Sequence, residues 1–154
     1  DKRMIKVAAR YKGAVVIMHM QGVPLNMQKV IAYHSLIDEI ALYLKNAIDS
    51  AQAGGIKPDK IIVDPGIGFG KKPEHNLEII KRLAEFKALG KPILIGTSRK
   101  SFIGKILGVN VNDRSSGTLA TCVMAAQNGA NIIRVHDVKE ASQSLKMVDA
   151  VKKC

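Results

Sequence analysis

Four short apolar runs, each followed by a stretch whose apolar residues recur at helical spacing, are what most limit how this chain can fold. The runs fall at Ala14–Met20, Ile61–Asp64, Pro92–Gly96 and Asn131–His136. They are close to continuous in Ile, Val and Leu and do not alternate with polar residues. Strands of that kind are buried on both faces, as in parallel sheets covered by helices. Between the first two runs, Ile37, Ile40, Ala41, Leu44, Ile48 and Ala51 form one helical face that Gly54-Gly55 stops. A second helix is predicted from Glu74 to Leu89, carried by Leu77, Ile80, Leu83 and Ala84 and closed by Gly90. A short helix follows from Lys100 to Leu107, and a small-residue helix from Ser116 to Asn128. Asp137 and Glu140 have capping-box spacing, with Asp in place of Ser or Thr. They open a last helix faced by Ala141, Leu145, Val148 and Val151, while a surface helix around Met4–Ala9 precedes the first strand. Such repetition builds an α/β fold, and it fits both an open parallel sheet and half of an eight-fold β/α barrel.

Composition narrows the class. The chain has 154 residues, 47% of them apolar, enough for one unit with a real core. It lacks tryptophan, so packing rests on aliphatic side chains. No apolar run approaches the ~20 residues of a membrane-spanning helix, and no membrane partner is expected. The start, Asp1-Lys2-Arg3-Met4, has no signal-peptide segment and no initiator methionine, so the chain is expected to begin inside a longer protein. The 24 basic residues outnumber the 13 acidic ones for a net charge of +11. They are scattered singly or in pairs, without the interleaved aromatics of a single-strand binder, and no nucleic acid is expected. Cys122 sits among small apolar residues as a buried hydrophobe, and Cys154 is terminal. Neither has metal-ligand spacing, which suits reduced thiols in the cytoplasm.

Chemistry collects where the predicted strands end. Asp64 is followed by Pro65-Gly66, and a carboxylate there could accept two parallel N–H donors from a heterocycle edge. Capping of the turn is the alternative use of such a residue. Gly66, Gly68 and Gly70 surround Phe69, a ring that either covers a ligand or packs within its loop. The run ending at Gly96 delivers Ser98, Arg99, Lys100 and Ser101; one of the two cations is expected to enter the site and the other to line its rim. Arg134 and His136 are one residue apart, so in a strand they face the same way and suit a phosphate or pyrophosphate. Pairing with Asp137 or Asp64 is the competing use. His19 fits a satisfied core histidine, and His34 and His75 fit the surface. One acid, several cations and a histidine thus meet on the carboxyl face of a parallel sheet, where ligands bind.

MHMQG at Met18, VDPGIGFGK at Val63, GTSRKSFIG at Gly96 and IIRVHDVKE at Ile132 together resemble the carboxyl-terminal half of the dihydropteroate synthase family, in the same order and over essentially the whole chain. The resemblance implies a β/α barrel of the TIM type, here one partial domain over residues 1–154 with four strand–helix units and no amino-terminal half. It implies a transferase of folate biosynthesis that joins p-aminobenzoate to 6-hydroxymethyl-7,8-dihydropterin pyrophosphate with loss of pyrophosphate. In that family's pattern Met18, Asp64, Gly96, Lys100 and Arg134 hold the pterin, and Arg134 and His136 hold the pyrophosphate. Phe69, Ser98, Arg99 and Ser101 lie near the p-aminobenzoate, where sulfonamides compete. Magnesium assists the leaving group, with its ligand expected outside this chain. On that reading the isolated chain binds pterin weakly, does not turn over, and associates through exposed sheet edges, as a homodimer for example. A pterin-dependent methyltransferase half-barrel and a non-catalytic binding module are the rival readings.

Overall fold

A computed structural model describes residues 2–22 and 31–154; Asp1, named above at the start of the chain, lies outside them. Helix α1 (Lys2–Tyr11) leads into strand β1 (Val15–Met18), then α2 (Leu36–Ala53) and β2 (Ile61–Asp64). Helix α3 (Pro73–Lys81) and a 3-10 segment (Leu83–Leu89) lead to β3 (Leu94–Ile95). The remainder is α4 (Ser101–Leu107), α5 (Ser115–Gln127), β4 (Ile132–Ile133) and α6 (Val138–Lys152).

The sheet is parallel throughout. β1 pairs with β2 in a register that sets Met18 opposite Asp64, and β3 pairs with β4. A parallel bridge between Val63 and Ile93, with Val63 N–H donating to Pro92 O at 2.9 Å, joins the two pairs. The strands therefore lie in chain order, and among the described residues β1 and β4 are the outer ones. All carboxyl ends point to one side.

The core lies between sheet and helices. Ile40, Leu44, Ile61, Val63, Ile79, Leu83, Phe86, Ile93 and Ile95 are fully buried. Nine such side chains at full burial contribute on the order of 20 kcal/mol before the entropy of ordering them is set against it. The α/β alternation agrees with the sequence pattern, but three strands are shorter than expected. Pro92 has no N–H to give a ladder, and Ile93 N–H is taken by the Asn131 side chain at 2.9 Å. Arg134 N–H still reaches Ile95 O at 2.8 Å, after which the chain turns away, so Arg134 and His136 lie beyond β4 and not within it. The helix expected to run from Glu74 to Leu89 breaks at Arg82. Leu83, Phe86 and Leu89 recur every third residue, the spacing that aligns side chains on a 3-10 helix.

Candidate functional site

Asp64, the last residue of β2, is buried to 4% exposure. Its Oδ1 accepts the Gly66 N–H at 2.7 Å across the Pro65 turn. Gly66 has φ +78°, and a Cβ there would stand 1.8 Å from the His19 carbonyl oxygen, so only glycine fits. Burial raises the Asp64 pKa above the ordinary carboxylate range; the Gly66 N–H and the charges of Lys100, Arg134 and Lys71 pull it back down. An acid and three cations therefore share one electrostatic neighbourhood.

Lys100 follows β3 and is the member of its pair that turns inward. Its Nζ donates to the Ile67 carbonyl and lies 4.6 Å from the centre of the Phe69 ring. Burial brings its pKa down to about 8, with Asp64 acting to raise it and Arg134 to lower it. Phe69 is thus held over a cation, a contact of about 0.5–1 kcal/mol where partly exposed.

Arg99 is the other member of the pair. It is exposed, has φ +55°, and its guanidinium binds Asp137 at 2.7 and 3.2 Å. Its left-handed backbone is held from both sides: its N–H donates to Thr118 Oγ1 at 3.0 Å, and Arg114 Nη1 donates to its carbonyl at 2.9 Å. The capping box expected at Asp137 and Glu140 does not form. Asp137 stands at the N-cap of α6 without a side-chain cap bond, because Arg99 occupies its carboxylate.

Gly96, Ser98, Lys100, Arg134, Val135 and His136 line a cavity of about 310 Å3. The Arg134 guanidinium passes over Gly96, where a Cβ would come within 3.2 Å of Nε. Ser98 Oγ sits 2.8 Å from His136 Nδ1 and accepts the His136 backbone N–H at 3.2 Å. Arg134 and His136 are both exposed at this mouth and lie past the end of the strand in which the spacing sets them side by side. Met18 lies half-buried at the end of β1 beside Asp64. Met18, Asp64, Phe69, Arg99 and Ser101 are outside the lining, and of these Ser101 stands exposed in the first turn of α4.

Lys71 is the residue that sequence reasoning passed over. It ends the glycine loop, is only 4% exposed, and places Nζ 2.9 Å from His19 Nδ1 and 3.0 Å from the Phe69 carbonyl. The available signal was His19 itself, a histidine in an apolar run that needs a polar partner. Burial, followed by the Lys71 charge, brings the His19 pKa down to about 4. His34 is at the surface as expected, but His75 is half-buried with its ring edge-on to Tyr33. Among the described residues, no group of three or more His, Cys, Asp or Glu side chains could hold a metal ion. No described helix is long and apolar enough to cross a membrane.

Residues 1–136 match the family model described as pterin binding enzyme. Dihydropteroate synthase of Synechocystis sp. is 43% identical over 152 residues, covering 98% of this chain and 53% of that protein. The crystal structure of Yersinia pestis dihydropteroate synthase with a sulfonamide drug complex superposes with a TM-score of 0.95 at 40% identity, over 97% of this chain and 55% of that one. The Thermus thermophilus dihydropteroate synthase in complex with 4-aminobenzoate superposes at 0.93 and 38% identity, over 99% and 62%. The chain spans about half the length of the curated relatives it matches.

Proposed function

The chain belongs to the pterin-binding enzyme family, and on that premise we propose that it carries the carboxyl-terminal half of a dihydropteroate synthase site on half of a β/α barrel. The carrying observation is the meeting of Asp64 with Lys100 and Arg134 beside the cavity that Ser98 and His136 also line. In this reading the Asp64 carboxylate accepts two N–H donors from the aminopyrimidine edge of the pterin. Lys100 donates to the pterin's carbonyl or ring nitrogen, and Met18 and Gly96 shape the pocket around the ring. Arg134 stacks on the ring, and with His136 it holds the pyrophosphate. The C–O bond to pyrophosphate breaks with its electron pair leaving on the phosphate oxygen. The aniline nitrogen of p-aminobenzoate then attacks the pterin methylene and loses a proton. Phe69, Ser98 and Arg99 border the p-aminobenzoate.

Support comes from the relatives' own ligands: a sulfonamide drug in the Yersinia pestis enzyme and 4-aminobenzoate in the Thermus thermophilus one. Ser101 has the weakest claim to contact, since it is exposed in the first turn of α4. The described residues do not fit a magnesium site, so its ligands would come from elsewhere in the whole protein and no step here runs through the metal. The outer edges of β1 and β4, outermost among the described residues, are the surfaces through which two copies would associate. The two free thiols would stay reduced in the cytoplasm.

Titration calorimetry with dihydropterin pyrophosphate, and with inorganic pyrophosphate alone, tests the reading. Weak pterin binding that pyrophosphate competes, without turnover of p-aminobenzoate, is the expected result for the chain by itself. Binding of neither ligand would refute it.

A further inference from the structure

We infer that Lys71 is a positioning residue for this site, its buried amine tying the His19 ring to the Phe69 carbonyl and so setting the loop between Asp64 and Phe69; the inference rests on the pterin-site reading above. Residues 65–70 contain three glycines and have little stiffness of their own. What holds them is a small set of bonds. Phe69 N–H donates to Gly66 O at 3.1 Å, Gly68 N–H to Asn76 Oδ1 at 2.7 Å, and Tyr33 OH to Gly70 O at 2.9 Å. Lys71 adds the tie that refers the loop to the sheet. His19, its partner, is fixed because its backbone N–H donates to Asp64 O at 3.0 Å. The amine also packs beneath the turn, 3.3 Å from where a Cβ of Gly66 would be. A buried amine with no such partners would be strongly disfavoured, so its seat specifies the loop as much as the loop specifies the seat.

The charge state of the tie matters. His19 is neutral above its lowered pKa of about 4, so its Nδ1 lone pair can accept, as can the Phe69 carbonyl. An ammonium donates to both with charge assistance, roughly twice the strength of a neutral amine's bonds. Burial brings Lys71 down to about 7; Asp64 from β2 acts to raise it and Lys100 from the loop after β3 to lower it. From α2, Glu39 bears on His19 and Tyr43 meets its ring edge-on, while Tyr33 lies between His19, to which it is tilted, and His75 of α3, which it meets edge-on. As pH rises through about 7 the tie loses its charge and the loop slackens.

The test uses the full chain, Lys71→Met and Lys71→Arg, with two measurements. Amide hydrogen exchange without ligand reports the loop directly, and calorimetry with dihydropterin pyrophosphate from pH 6 to 9 reports the site. Lys71→Met should speed exchange at Gly68 and Phe69 and weaken pterin binding by about tenfold, the worth of one lost charged hydrogen bond. In the unaltered chain affinity should fall as pH rises through neutrality. Lys71→Arg, charged at every pH used, should restore affinity and lose that fall, while the contribution of Lys100 stays common to all three. Unchanged loop exchange in Lys71→Met, or an identical pH profile in Lys71→Arg, overturns the inference. If Lys71→Met does not fold, the Lys71→Arg profile decides. If the unaltered chain binds no pterin, the exchange measurement still decides for Lys71, and the failure belongs to the pterin-site reading.

Discussion

Gly66→Ala should damage this protein far more than the same change at Gly90, although both glycines have positive φ, +78° and +62°. The shared term is conformational. An L-residue in the left-handed region costs roughly 1–2 kcal/mol, and the lower entropy of the unfolded chain returns about 0.4–1 of that. Gly90 closes the 3-10 segment as an exposed cap with nothing within 4 Å of an added Cβ, so it should show only this net term, about 1 kcal/mol or less. At Gly66 the added carbon would stand 1.8 Å from the His19 carbonyl oxygen and 3.0 Å from its carbon. The obstacle is backbone at the end of β1, which cannot rotate away, so the overpacking cost falls at or above the top of its usual range of about 1–3 kcal/mol. The sum is about 3–4 kcal/mol, or a melting point roughly 6–16 °C lower in a chain of this size, against about 2–4 °C at most for Gly90→Ala. Thermal denaturation of the three proteins side by side measures this. Because Gly66 N–H also donates to Asp64, pterin affinity should fall in Gly66→Ala and not in Gly90→Ala. Equal melting shifts for the two variants would refute the claim that the loop is pressed against β1.

Asp64→Asn should weaken pterin binding by about 100-fold, since two charge-assisted bonds would be lost and an amide N–H set against a ring donor. Burial holds the Asp64 pKa above its ordinary 3.8, so the fold prefers the protonated acid, and stability is lost as pH rises past the ordinary value toward the raised one. Asp64→Asn should therefore melt higher at pH 7 than the unaltered chain, and a lower melting point would contradict the assignment. His19 has the opposite signature in pH. Its pKa falls from 6.5 to about 4 on folding, so stability is complete above 6.5 and lost as pH falls toward 4. The loss is about 3 kcal/mol, and His19→Gln should flatten this part of a melting-point profile. Asp137→Asn should shift stability by less than about 1 kcal/mol, because its pair with Arg99 is partly exposed, yet should loosen Arg99 and weaken sulfonamide binding measured by calorimetry.

How far the fold could be read depends on how local each cause is. The four apolar runs mark the strands because a doubly covered strand must be apolar along its whole length, and α2 declares itself through one clean face from Ile37 to Ala51. Strand lengths were less legible. What ends β3 and β4 is a proline without a donor and an Asn131 side chain that takes the place of a ladder bond, a contact 38 residues apart in the chain. The break at Arg82 was also hidden, since Leu77, Ile80, Leu83 and Ala84 continue a helical face across it. Only the packing of Leu83 and Phe86 at full burial selects the tighter winding.

The site divides along the same line. Asp64, Lys100, Arg134 and His136 could be named from the sequence because each lies within a few residues of the end of an apolar run, and a parallel sheet brings such ends together whatever else the chain does. Their partners could not be named. Arg99 binds Asp137 across 38 residues and Lys71 meets His19 across 52, and neither pairing has a local pattern. The misreading of Asp137 shows the competition directly. Its spacing to Glu140 fits a capping box worth about 1 kcal/mol, but a bidentate guanidinium is the stronger suitor for one carboxylate. Lys71 escaped for a further reason. A lysine after a glycine loop and before Lys72-Pro73 looks like solvated surface, and only burial turns it into a structural cation. Local rules therefore locate the face on which these groups meet, while the long-range contacts that aim them follow from which polar atoms the closed core leaves in need of partners.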